Sequence, residues 1–203
     1  MSEVPKLSAI IILDGQGQRI SAKYFPHWVQ DESNVDEFKT TFEATLWKKT
    51  KNTNARNESE IITNQGQLCC FRSGSDVKVY IIGPSTESEL VLAFVLDGFF
   101  DALTGILHGA TDRRTILDNL EMVMLLVDEL CDGGYILEAD SVSLMSRVLM
   151  REVDVPGGGG GGLQGQGGGS GGGVQNIGDM TIGQALKQAR EQLISNLGQR
   201  EGF

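Results

Sequence analysis

Histidine is almost missing from this chain. Of 203 residues only His27 and His108 are imidazoles, and neither has a nucleophile beside it in sequence. Acid–base and nucleophilic chemistry that relies on histidine therefore has little to build on. Cysteine is scarce too: Cys69, Cys70 and Cys131 are odd in number, two are adjacent, and no C-x-x-C occurs. That spacing suggests neither a disulfide framework nor a zinc site, and reduced cytosolic thiols are expected. Positive charge is in deficit, with 17 Lys and Arg against 27 Asp and Glu, a net charge of -10. A nucleic-acid partner needs a basic face, and autonomous docking on an anionic membrane needs a basic patch, so neither is expected. The acidity is spread along the chain, as on an ordinary solvated surface. The longest apolar stretch, residues 90–107, is interrupted by Asp97 and Asp101 and reads as a buried helix, not a membrane span. Residues 1–6 lack the pattern of a signal peptide, Ser2 excludes myristoylation, and the last residues form no prenylation box. Any membrane attachment is expected to come through partners.

What is present is a patterned globular domain, 40% hydrophobic. Residues 7–13 form a short Ile- and Leu-rich run, Asp14-Gly15-Gln16-Gly17 a turn, and 19–25 a returning strand, which predicts an opening β-hairpin. Residues 35–49 predict a helix with Asn34 as N-cap and Phe38, Phe42 and Leu46 on one stripe. The cluster Lys48-Lys49-Thr50-Lys51 sits where cations complement a helix C-terminus, with a phosphate-binding patch as the sharper alternative. Strands over 58–63, 67–72 and 77–82, joined by short turns, predict an antiparallel meander. Thr86 and Glu89 have capping-box spacing before a helix so apolar, through residue 107, that it must be buried on more than one side. The domain's own sheet can cover one side and a second protein another. A third helix is predicted over 112–131 and a fourth from Ser141.

From residue 157 to 173 the chain is almost all glycine, which cannot bury enough apolar area to offset its ordering entropy. It reads as a flexible tether with a reach on the order of 20–25 Å. No Gly-Lys-Ser/Thr ends the run, so it is no phosphate-binding loop. Residues 181–197 predict a last amphipathic helix, with Ile182, Leu186, Ala189, Leu193 and Leu197 on one face and open to docking on its own domain or on a partner. The expected organisation is a domain over 1–155, a linker over 156–180, and a C-terminal helix and tail over 181–203.

The segment from Val127 to Asp140 carries five carboxylates around Gly133-Gly134. As a calcium loop starting at Asp128 it fails, because position 3 is Leu130 and position 12 is Ala139 where oxygen ligands are needed. The segment reads instead as a helix ended by a left-handed glycine, a restart capped by Asp140 or Ser141, and carboxylates serving as caps and solvated surface. Gly15-x-Gly17 lacks the third glycine and following helix of a dinucleotide site. No catalytic residue, cofactor or metal is expected.

Two strands, a helix, three strands, two long helices and a short one is the element order of a longin-like domain. The stretch from Ile12-Leu13-Asp14-Gly15-Gln16-Gly17 through Arg19-Ile20-Ser21-Ala22-Lys23-Tyr24-Phe25 resembles the opening of vesicle-coat adaptor small chains. Val127-Asp128-Glu129, Gly133-Gly134, Ile136-Leu137-Glu138, Tyr80-Ile81-Ile82-Gly83, Glu87-Ser88-Glu89-Leu90 and Arg151-Glu152-Val153-Asp154-Val155-Pro156 resemble the coatomer zeta family in particular. The resemblance runs over residues 7–156 and resumes over 181–197; the glycine tract is its main departure. It implies an α+β, longin-like fold with a five-stranded antiparallel sheet flanked by helices, and a structural, non-enzymatic part in the COPI coat. It further implies pairing with the coatomer gamma subunit, whose helical solenoid wraps the small domain. Recruitment to Golgi membranes and vesicles would then be indirect, through an Arf-family GTPase, in Golgi-to-ER and intra-Golgi transport.

Adaptor small chains that bind acidic dileucine signals carry Arg-Leu-Ala-Lys. Here Arg19-Ile20-Ser21-Ala22-Lys23 has one extra residue, which by strand alternation places Arg19 on the other face. A dileucine pocket is therefore not carried over. A sorting-signal reader and a longin module contacting a small GTPase stay as alternatives. The partner surface is expected on the second helix, the apolar one through residue 107, with Phe94, Phe99, Phe100 and Leu103 as candidates, each of which the domain's own core also has use for.

Overall fold

The computed structural model describes residues 4–29 and 34–153. The expected linker and C-terminal helix lie outside the described residues. In chain order the elements are β1 (Ala9–Asp14), β2 (Arg19–Tyr24), α1 (Pro26–Val29), α2 (Val35–Thr50), β3 (Glu60–Asn64), β4 (Gln67–Ser73), β5 (Val77–Pro84), α3 (Glu89–Ile106), α4 (Arg113–Asp118), α5 (Leu120–Leu130), β6 (Cys131–Asp132), β7 (Tyr135–Ile136) and α6 (Ser141–Val153). The hairpin, the meander and α2 with its Asn34 cap match the sequence pattern. The short turn α1 was not evident in it.

Five strands form one antiparallel sheet in the order β2-β1-β5-β4-β3. β1 is buried along its whole length because both faces are covered, which is why its sequence is a continuous apolar run and not an alternation. Ile11, Leu13, Tyr80 and Ile82 face α2 through Phe42 and Leu46. Ile10, Ile12, Val79 and Ile81 face the layer of α3, α5 and α6.

Several local readings are corrected. The helix predicted over 112–131 is two helices. At Asn119 the backbone turns to φ -121° and ψ 28°, out of the helical range, and the Asn119 side-chain amide joins its own backbone N–H in donating to the Thr115 carbonyl, at 2.8 and 3.1 Å, so one helix is capped there and the next begins. The capping box at Thr86 does not form, because α3 begins one residue after Ser88 and Thr86 is out of reach of its first turn. The double glycine is not the helix stop. α5 ends at Leu130, Cys131 is already extended, and the Leu137 N–H returns to the Leu130 carbonyl at 2.9 Å. Gly133 and Gly134, at φ +56° and +92°, form the two-residue turn of the β6–β7 hairpin, where consecutive left-handed residues suit the strand twist. Asp140 does cap α6, accepting the Ser143 N–H at 2.8 Å. Glu129 is not solvated surface: it is buried and, with Glu138, holds Arg147 at 3.7 and 3.1 Å.

The extra residue in the second strand is absorbed locally. Ile12 pairs with Ser21 and Leu13 with Arg19, so Ile20 is bulged out of register. The bulge cancels the predicted change of face. Arg19 stays on the α2 side, where its Nε meets both Glu43 carboxylate oxygens at 2.8 and 2.9 Å. The Tyr24 hydroxyl donates to the same carboxylate at 2.7 Å, and burial together with that bond holds the phenol well above its ordinary pKa. Glu43→Gln is expected to cost about 1–2 kcal/mol, since Arg19 is partly solvated and recovers some of its loss. Urea denaturation checks this; an unchanged midpoint would show that the cluster contributes nothing.

Candidate partner-binding surface

α3 holds the sequence-predicted surface. Its residues are apolar on nearly every face, and the fold assigns those faces to different neighbours. Leu92, Val95, Leu96, Phe99 and Leu103 are fully buried in the core shared with the sheet, α5 and α6. Gly98 faces the segment that leads into α6, and Gly105 faces α6 itself. A Cβ on Gly98 would run into the Ala139 carbonyl oxygen, and one on Gly105 into the Met145 sulfur. These two positions let α6 and its lead-in lie against the α3 backbone.

Two large side chains are left over. Leu90 is 79% exposed and Phe94 64%. They are four residues apart and so lie on one stripe of the helix. The same stripe continues into Asp97 and Asp101, which hold the Arg72 guanidinium at 3.2 and 3.1 Å. Arg72 in turn lies over the Phe100 ring, 4.4 Å from its centroid. α3 therefore presents an apolar head followed by a charged, ion-paired tail.

Of the four candidates, Phe94 is in the open. Phe99 and Leu103 are buried completely, and Phe100 is buried beneath Arg72. Leu90 is the residue that the candidate set lacked. Its signal was the i, i+4 spacing to Phe94 at the helix start, before α6 can reach the helix.

Nothing at this surface resembles a reaction centre. Among the described residues, no three His, Cys, Asp or Glu side chains gather as a metal site. Burial pushes each of the Cys69, Cys70 and Cys131 thiols up to about 12, so all three are protonated at neutral pH. Among the described residues, no helix is long and apolar enough to cross a membrane.

Comparison with known proteins gives this surface its context. Residues 6–155 match the family model described as clathrin adaptor complex small chain. The chain belongs to that family. Within it, the chain is 32% identical over 193 residues to coatomer subunit zeta-1 of Arabidopsis thaliana, covering 95% of this chain and 97% of the relative. It is 35% identical over 187 residues to coatomer subunit zeta-1 of Homo sapiens, covering 92% and 90%. Its membership is therefore in the coatomer zeta group of adaptor small chains. The fold is also that of a chain in a homology model of the full-length AP-3 complex, with a TM-score of 0.52 over 72% of this chain and 94% of the other at 11% identity. The α+β fold of the domain is thus shared with a chain of much more distant sequence. The small-chain match stops at residue 155, two residues before the glycine-rich stretch.

Proposed function

We propose that the chain is a structural, non-enzymatic coatomer zeta-type subunit of the COPI coat, and that it enters the coat by pairing with a gamma-type large subunit through the exposed head of α3. A coatomer subunit acts inside an assembly, so its partners are other coat chains, and it reaches Golgi membranes and vesicles peripherally. The observation that carries the pairing is the Leu90–Phe94 stripe. A helix otherwise enclosed by its own domain leaves two large apolar side chains in water. A helical solenoid offers apolar grooves that fit such a stripe, and obligate interfaces resemble a core cut in two. Recruitment by an Arf-family GTPase would then act on the assembled coat.

The paired substitution Leu90→Asp and Phe94→Asp tests this. Both side chains are exposed, so the chain is expected to keep its fold by circular dichroism. Co-purification with the N-terminal solenoid of a gamma-type subunit is expected to be lost. Retained co-purification would move the interface elsewhere. The unpaired wild-type chain is likewise expected to be less soluble than the pair.

A sorting-signal function gains no support from Arg19. The bulge returns it to the α2 side, but Glu43 occupies it with both oxygens.

A further inference from the structure

A recess of about 250 Å³ opens between the C-terminal end of α2, the loop that follows it, and the turn from β4 to β5. Three cations line it: Lys51, Arg56 and Lys78. Lys51 and Arg56 are exposed, whereas Lys78 is buried to 7% exposure. The Lys78 ammonium donates to the Thr53 carbonyl at 2.6 Å and to the Ser73 hydroxyl at 2.8 Å. An ammonium has three N–H donors, and these two acceptors are neutral.

Among the described residues, no carboxylate lies within ion-pair distance of any of the three cations. The contrast with the rest of the domain is sharp. Every other arginine with a described side chain is ion-paired: Arg19, Arg72, Arg113, Arg114 and Arg147. Arg56 instead donates to the Ser75 carbonyl at 3.3 Å. The acid in the lining, Asp76, accepts the Arg113 backbone N–H at 2.7 Å, at the start of α4. Burial and, after it, the Arg56 charge both press the Lys78 ammonium below the usual lysine range, as expected where positive charge is not balanced. The Lys78 ammonium also lies over the Phe71 ring, 5.3 Å from its centroid, so its partners are all neutral. In a chain of net charge -10, positive charge is gathered here with no carboxylate partner among the described residues.

We infer that this recess binds a compact anion, a phosphoryl or carboxylate group, carried on an acidic segment of a partner protein. The Arg56 guanidinium can grip two oxygens at once, while Lys51 and Lys78 act as point charges. Trp47 walls one side of the recess and offers an apolar surface for a neighbouring peptide side chain. A bilayer fits less well, because the acidic chain as a whole is repelled by an anionic membrane surface. The inference does not rest on gamma pairing, which uses a different element.

The test is a titration of the full-length chain with a fluorescein-labelled peptide bearing one phosphoserine among glutamates, at ~0.15 M salt. Saturable binding is expected, with a change in Trp47 fluorescence that survives in Trp28→Phe. Lys51→Glu with Arg56→Glu, both exposed, is expected to weaken binding about tenfold or more. Lys48→Glu, on the same helix but outside the recess, is expected to leave it unchanged. Absence of saturable binding would overturn the proposal. So would equal weakening by Lys48→Glu, or binding seen only with phosphatidylserine vesicles and not with the peptide.

Discussion

Phe99→Ala is expected to destabilise the chain by about 3–5 kcal/mol, while Phe94→Ala, five residues away on the same helix, is expected to stay within about 0.5 kcal/mol of wild type. The two rings share one chemistry and differ in what they touch. Phe99 is fully buried, and its removal leaves a cavity among side chains of the sheet, α5 and α6. Phe94 is mostly in water and leaves none. Domains of this size are held by about 5–15 kcal/mol, so the first change removes a large share of the stability. Denaturant midpoints at constant slope measure both. Under the proposed pairing, binding is expected to reverse the ranking: Phe94→Ala should weaken association with a gamma-type subunit, whereas Phe99→Ala should impair it only in proportion to the fraction unfolded. Equal destabilisation by the two would mean that the head of α3 packs more tightly than its exposure indicates.

Gly98→Ala is expected to destabilise as well, by about 1–3 kcal/mol, against the ordinary direction for a helix interior. In an isolated helix the change would gain about 1 kcal/mol, because alanine loses less backbone freedom than glycine. Here the added methyl meets a backbone carbonyl, that of Ala139. A carbonyl cannot rotate away as a long side chain can, so the segment before α6 has to move. That segment also carries Glu138, whose carboxylate accepts the Ala139 and Asp140 N–H groups at 3.0 Å and pairs with Arg147. Displacing it should loosen the whole of α6, which hydrogen exchange would show as lost protection over residues 141–150. A variant more stable than wild type would show that the two elements do not approach as described.

Much of this was legible before any coordinates. The opening hairpin announced itself because an unbroken Ile run followed by Asp-Gly-Gln-Gly has few other uses. α2 was legible from its stripe and its Asn34 cap, and α3 from an apolar content that no single neighbour could cover. What stayed hidden depends on contacts distant in sequence. The sharing of α3's faces is decided by the return of α6 some forty residues later, so four apolar candidates could not be sorted into core and surface. The break at Asn119 falls inside a run with good helical periodicity, and only the non-helical backbone of that one residue reveals it. Gly133-Gly134 reads as a helix stop in the sequence because a helix end and a hairpin turn demand the same left-handed backbone. Arg19 changed face on paper because strict alternation has no room for a bulge. The cationic recess is half visible in the sequence: Lys51 stands out in its cluster, but Arg56 is folded back from the loop after α2 onto Ser75, and Lys78 comes from the start of β5.

The position of β1 has a consequence for how the chain is made. Of the domain's strands it is the first to be synthesised, yet it lies in the interior of the sheet, between β2 and β5. Its partner on one side follows within a few residues; the other, β5, begins at Val77. The Leu7 N–H just before it is satisfied later still, by the Gly134 carbonyl at 2.7 Å. Throughout that interval the nascent chain carries an apolar strand with one open edge, the kind of surface that invites wrong pairing. The hairpin around Gly133-Gly134 is thus the late clasp on the oldest part of the domain, and a chain cut short before it would leave its first strand unfastened.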